Sequence, residues 1–204
     1  MFEKKKILLI GPPGAGKTTI KQIFFEKVNP IILLSDKLPP TRGIDSKVYT
    51  LYDYELGVFD LAGQENENWF SQERGVFSNS NLIICVFDIN TYFKEIQYFF
   101  NKLIKLYEEI KLNNCTIVVF FHKVDLIEKL LLHRKIKAFD EFIKNEIAKR
   151  KMISIYPTSI APDFFLETYD YIAKILSQFL SVKSLQENGT KFKAFRKSLE
   201  ILTS

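Results

Sequence analysis

Three short runs of the chain are almost wholly apolar: Ile7 to Ile10, Leu82 to Phe87 and Thr116 to Phe121. Runs of this length without polar alternation are the mark of strands buried on both faces of a parallel sheet. Each is followed by a polar or glycine-containing break. Between them apolar positions recur at helical spacing, first Ile20, Ile23, Phe24 and Val28, then Ile96, Phe99, Phe100, Leu103, Tyr107 and Ile110. A further pair, Lys47 to Tyr52 and Glu55 to Asp60, is joined across Asp53 and Tyr54 and predicts a hairpin, hence one antiparallel edge. Beyond Leu126 the pattern predicts a basic helix near 128–150, a short strand at Met152 to Tyr156 and a helix from about Phe164 to Leu180. The expectation is an α/β fold, a doubly wound and mostly parallel six-stranded sheet flanked by helices, with ligand loops at the carboxyl ends of the strands.

Composition narrows this only a little. At 204 residues and 47% apolar, the chain has room for one full core. The expected division is a single domain over 1–182 and a short C-terminal helical appendage over 183–204, with Asn188-Gly189 as the breaker. The formal charge of +5 is uneven: residues 129–151 carry eight Lys/Arg against three acids, and 183–204 carry five against two. Such polarity suits an acidic partner or an anionic surface, and equally a solvated helix face. No nucleic-acid recognition element accompanies the basic stretch, so no nucleic-acid partner is expected. No secretory signal follows Met1 and charges interrupt every hydrophobic stretch, which predicts a cytoplasmic protein, at most peripheral at a membrane. Cys85 and Cys115 lie inside apolar runs and are expected as buried free thiols.

The chemistry begins at Gly11-Pro-Pro-Gly-Ala-Gly-Lys-Thr18, which fits GxxxxGK[ST] between a strand ending at Ile10 and a helix opening at Lys17. In that context backbone N–H groups curl round a phosphate at a helix N-terminus, while the lysine and threonine reach the terminal phosphates and Mg²⁺. Gly11, Gly14, Ala15, Gly16, Lys17, Thr18 and Thr19 are therefore the candidate phosphate-binding residues. By itself the octet does not separate ATP from GTP, and it resembles the loops of AAA+ ATPases and adenylate kinases. An ATPase of that kind is expected to carry an acidic pair after its strand, whereas Asp60 here is followed by Leu61. In Phe59-Asp-Leu-Ala-Gly-Gln64 the aspartate can hold Mg²⁺, Gly63 can offer its N–H to a γ-phosphate, and Gln64 can orient an attacking water.

Phe121-His-Lys-Val-Asp125 resembles the [NT]KxD element of the Ras superfamily, which implies that Asp125 accepts two hydrogen bonds from guanine and that Lys123 lies along the loop and base. Adenine offers no such donor pair, so a carboxylate there discriminates strongly. Thr158-Ser-Ile160 resembles the last base-contacting loop of that superfamily. His122 stands where Ras-like proteins have Asn or Thr; together with TSI it resembles the Rag/Gtr GTPases, as do Trp69 to Ser78 and Leu82 to Asp88. The resemblance implies a P-loop NTPase G domain that binds GTP/GDP with Mg²⁺ and acts as a molecular switch. For His122 it leaves a loop-tying hydrogen bond as the favoured role over catalysis.

Pro40-Thr-Arg-Gly-Ile44 resembles instead the switch I of Arf and Gα proteins, with Thr41 nineteen residues before Asp60. That implies Thr41 as a Mg²⁺ and γ-phosphate ligand, so the expected metal set is Thr18, Thr41 and Asp60, and the catalytic set is Gln64, Lys17 and Thr41. Arg42 does not occupy the position of the Gα arginine finger, and Pro13 crowds the γ-phosphate side of the loop. Slow intrinsic hydrolysis dependent on an activating protein follows. A pseudo-GTPase scaffold that binds guanine nucleotide with little hydrolysis is the alternative, and an ATP-dependent enzyme or motor a more distant one. Expected partners are an effector, an activating protein and an exchange factor acting through loops near 36–48 and 61–78. A roadblock or longin-domain protein or a second G domain is a further candidate, since the twenty or so residues after the last helix are too few for the roadblock-type domain of Rag/Gtr proteins. In the tail, Phe192, Phe195, Leu199 and Leu202 share one helical face beside Lys191, Lys193, Arg196 and Lys197. Such a helix suits packing on its own domain or a partner, with weak membrane-surface contact as the lesser reading. Phe2 and the terminus Leu202-Thr-Ser204 carry no lipidation motif.

Overall fold

A computed structural model describes residues 2–35, 38–51, 53–112, 114–146 and 153–180. Six strands form one sheet: β1 (Glu3–Ile10), β2 (Ile44–Leu51), β3 (Tyr54–Leu61), β4 (Leu82–Asp88), β5 (Thr116–His122) and β6 (Ser154–Thr158), in the order β2-β3-β1-β4-β5-β6. All neighbours are parallel except β2 and β3, the antiparallel hairpin. The expected mostly parallel doubly wound sheet is therefore the observed one. Among the described residues six α-helices accompany it: α1 (Lys17–Phe24), α2 (Pro30–Ser35), α3 (Asn66–Ser71), α4 (Phe93–Glu109), α5 (Lys129–Glu146) and α6 (Pro162–Phe179).

Successive strand residues face opposite sides of the sheet, which splits the core in two. Leu8 and Ile10 on β1, with Ile83, Cys85 and Phe87 on β4, meet α4 and α5 on one side; Ile7 and Leu9, with Ile84 and Val86, meet α1 and α6 on the other. Both cysteines are buried, and neither forms a disulfide among the described residues.

Several boundaries differ from the sequence reading for physical reasons. The hairpin starts three residues earlier, because Ile44 and Asp45 find register partners in Leu61 and Asp60 although both are exposed and show no apolar alternation. β6 lies two residues later than expected and includes Pro157, which an edge strand tolerates because its outer N–H side has no ladder partner to lose. α6 starts at Pro162, a favoured first helical residue whose missing N–H is an orphan anyway. Helix α1 stops at Phe24, before Val28, and Lys27 adopts a left-handed φ of 61°. Tyr52, Met152 and the whole appendage at 183–204 lie outside the described residues. Among the described residues no helix is long and apolar enough to cross a membrane.

Parallel pairing brings the carboxyl ends of β1, β3, β4, β5 and β6 to one edge of the sheet, where Ile10, Leu61, Asp88, His122 and Thr158 end their strands. The Gly11–Thr18 loop follows β1, which lies between β3 on one side and β4 on the other. That is the crevice position of an open α/β sheet.

Candidate functional site

A cavity of about 600 Å³ opens over the loop between β1 and α1. Its floor includes Gly14, Gly16, Lys17, Thr18 and Thr19, and its roof is formed by Leu33 to Ser35 and Leu38 to Thr41, with Gly63 and Gln64 at the side. The loop needs its glycines: Gly11 has φ 146°, and a Cβ there would lie 2.0 Å from the carbonyl oxygen of Val86; Gly16 has φ 101°, and a Cβ would lie 2.4 Å from the His122 ring. The Lys17 ammonium donates to the carbonyls of Gly11 (2.9 Å) and Pro12 (2.8 Å). Burial pushes its pKa down to about 8, against the opposing pull of Asp60.

Beside Lys17 three oxygen-bearing side chains converge from three elements. Thr18 Oγ1 donates to Asp60 Oδ2 at 2.5 Å and lies 2.9 Å from Thr41 Oγ1, while the Thr41 hydroxyl donates to the same Asp60 oxygen at 3.3 Å. Asp60 is fully buried, and its other oxygen, Oδ1, has no partner among the described residues. Desolvation raises the Asp60 pKa, opposed by the hydrogen bond from Thr18 and the charges of Lys17 and Lys21. Two hydroxyls and a carboxylate with an orphaned oxygen form a hard-oxygen donor set of the type that suits Mg²⁺. Among the described residues no His, Cys, Asp and Glu cluster of metal-binding size occurs, so this corner differs from an all-carboxylate cage.

The segment after Asp60 docks on the phosphate loop. A Cβ on Gly63 would meet the Pro13 nitrogen at 2.4 Å, and the Asn66 amide donates to the Gly11 carbonyl at 3.0 Å. Gln64 lines the cavity but donates its amide to the Thr41 carbonyl at 2.5 Å, and Glu65 accepts from the Gly43 N–H at 2.8 Å. Trp69 anchors the turn from below, its indole N–H on the Ala62 carbonyl at 3.0 Å.

The second part of the site lies at the ends of β5 and β6. His122 is buried, its Nδ1 3.1 Å from Thr158 Oγ1 and its ring against Gly16; burial lowers its pKa to about 4. Lys123, at φ 64°, donates to the Gly14 carbonyl (2.7 Å) and to Asp88 (2.8 Å), which ties this part to the phosphate loop. Asp125 is exposed and accepts a hydrogen bond from the Ser159 hydroxyl. Thr158 and Ser159 face inward: Thr158 is fully buried on His122, and the Ser159 N–H is donated to Thr168 Oγ1 at 2.8 Å. Their side chains therefore position the loop and Asp125, with Ile160 buried behind them.

The Gtr1/RagA G protein conserved region aligns with residues 6–201. The chain belongs to the Gtr1/RagA G protein family. It is similar to "GTP-binding protein GTR1" of Saccharomyces cerevisiae, 27% identical over 98% of this chain and 65% of that protein. It is also similar to "Ras-related GTP-binding protein A" of Dictyostelium discoideum, 28% identical over 93% of this chain and 62% of the other. To "Ras-related GTP-binding protein B" of Rattus norvegicus it is 25% identical over 98% and 60% respectively. The chain thus spans less than two thirds of the length of these Gtr1/RagA relatives. As a member of a GTP-binding family with a G-domain sheet, it carries its candidate site where that fold places ligand loops.

Asn66, Glu65, Lys21, Asp88 and Thr168 take part in the site's architecture without having been singled out in the sequence. Glu65 and Asn66 directly follow Gln64, and Asp88 closes the Leu82 to Asp88 run, which were the available pointers; Lys21 and Thr168 sit in helical stripes that carry no motif.

Proposed function

We propose that this member of the Gtr1/RagA family binds GTP and GDP with Mg²⁺, hydrolyses GTP slowly and acts as a nucleotide-dependent switch. The observation that carries the reading is the meeting of Thr18, Thr41 and the half-satisfied Asp60 beneath one cavity, because it joins the Gly11–Thr18 loop to the segment that carries Thr41. Mg²⁺, when bound, neutralises charge on the β- and γ-phosphates. Thr18, Thr41 and Asp60 would hold it, Lys17 would turn its ammonium from the loop carbonyls to the phosphates, and the Gly63 N–H would meet the γ-phosphate. Gln64 would position the water, once its amide leaves the Thr41 carbonyl. Asp125, held by Ser159, would accept two guanine N–H donors while Lys123 supports the base. Loops near 36–48 and 61–78 would then present different surfaces to effectors, an activating protein and an exchange factor.

The test is competition for fluorescent GDP by GTP, ATP and XTP on the wild type and Asp125→Asn. The expected outcome is selectivity for guanine that moves towards xanthine in the variant, with roughly 10³-fold loss of GDP affinity. Equal competition by ATP overturns the base assignment. A low-turnover scaffold is the second reading, favoured by the Gln64 amide being engaged on the Thr41 carbonyl and by the close approach of the Pro12–Pro13 backbone to Gly63.

A further inference from the structure

Lys21 lies one helical turn beyond Lys17 on α1, and its side chain is only 2% exposed. A lysine on an amphipathic helix ordinarily carries its ammonium to water, so full burial requires a compensating partner. That partner comes from the segment that carries Thr41. Lys21 Nζ lies 2.6 Å from Asp45 Oδ2 and 3.4 Å from the Asp45 carbonyl, whereas Glu26, the next carboxylate, is 3.6 Å away and already accepts from the Tyr49 hydroxyl. Asp45 in turn stands directly opposite Asp60 in the β2–β3 register.

These contacts form two parallel rungs between α1 and the start of β2. The first is Thr18 with Thr41; the second, three residues further along the helix and four further along the switch segment, is Lys21 with Asp45. Between α1 and β2, helix α2 buries no residue, and Ile31, Ile32 and Leu34 are about half exposed or more. Nearer Thr41, Gly43 is tied to the β3 side, its N–H donating to the Glu65 carboxylate at 2.8 Å and its carbonyl accepting from the Ala62 N–H at 2.9 Å, whereas the second rung ties the segment to α1.

We propose that Lys21 is a positioning residue that holds the β2 end of switch I against α1, so that Thr41 is poised over Thr18 and Asp60. Its ammonium is engaged by Asp45 and Glu26, so its role is to hold the segment and not to bind a ligand. The proposal rests on the reading of Thr41 as a ligand used in the GTP state. If β2 withdraws, the ammonium is left buried with its main counter-charge gone, a costly state, whereas Asp45 at 54% exposed is readily solvated. The asymmetry makes Lys21 the side that enforces the contact.

It also separates a positioning role from a structural one. Replacing a buried lysine by an apolar side chain of similar shape is commonly neutral or stabilising, so Lys21→Met should keep or raise Tm while loosening switch I. The measurement is the ratio of affinities for a non-hydrolysable GTP analogue and GDP, both as fluorescent derivatives with Mg²⁺. Lys21→Met is expected to lower that ratio about fivefold or more, Lys21→Arg to retain the wild-type ratio, and Lys21→Met to add nothing in a Thr41→Ala background. Asp45→Asn, which leaves the buried ammonium in place, is the second variant and should lower the same ratio. Equal loss of both nucleotides, or an unchanged ratio in folded Lys21→Met or Asp45→Asn, overturns the proposal while leaving guanine binding intact. A wild-type chain that binds neither nucleotide overturns the functional reading and this proposal with it.

Discussion

The two halves of the candidate site are built differently. At the ends of β5 and β6, His122, Thr158 and Ser159 are all but inaccessible to solvent, and each is bonded to a neighbour on an adjacent strand, loop or helix. Around Thr41, by contrast, the neighbours Pro39, Pro40 and Arg42 are exposed, and attachment depends on hydroxyl contacts, the Gln64 amide, the Glu65 carboxylate and the Lys21–Asp45 pair. The lesson concerns preorganisation. A recognition element meant to work in every ligand state is best set into packed strand ends, whereas one that reports a single phosphate needs a segment whose order a few contacts decide.

Gly16 is where the halves meet, since its hydrogen faces the His122 ring. Gly16→Ala should break both at once: the new methyl has no room and the backbone is left-handed, a combined cost of about 3 kcal/mol or more. Urea unfolding together with GDP titration checks this, and a variant of wild-type stability would show that the contact is dispensable. His122 probes the packed half alone. Its folded pKa of about 4 lies below the ordinary 6.5, so the unfolded chain binds more protons between those values. Stability is complete above pH 6.5 and should fall by up to about 3 kcal/mol as the pH drops towards 4. Denaturation midpoints across that window should be flatter for His122→Asn. Gln64 probes the loose half alone: Gln64→Leu should slow single-turnover GTP hydrolysis about 10- to 100-fold with little change in GDP affinity. Equal rates for the two proteins would favour the scaffold reading and leave the comparison to rest on binding alone.

Much of this was legible in the linear chain. The glycine spacing of the phosphate loop, Asp60 to Gln64 after an apolar strand, and His122 to Asp125 at the end of another carry their own context, because strand, loop and helix are local consequences of neighbouring residues. The start of β2 was not legible: Ile44 and Asp45 have no alternating pattern to announce them, and their strand exists through pairing with Leu61 and Asp60. The role of Ser159 was also out of reach. Thr158-Ser-Ile160 pointed to the base, yet the Ser159 amide is taken by Thr168, nine residues away, and its hydroxyl by Asp125, thirty-four away.

The amino-acid sequence alone thus determined the βα alternation, the phosphate loop and the family resemblance, since periodicity and motif spacing act over a few residues. Only the tertiary structure decided which oxygens surround Asp60, which of its two is left without a partner among the described residues, and that a buried lysine on α1 finds its charge partner at the start of β2. Those facts depend on strand order and register, which bring residues twenty to forty positions apart within hydrogen-bond reach, and a burial cost has no meaning until the surrounding walls exist.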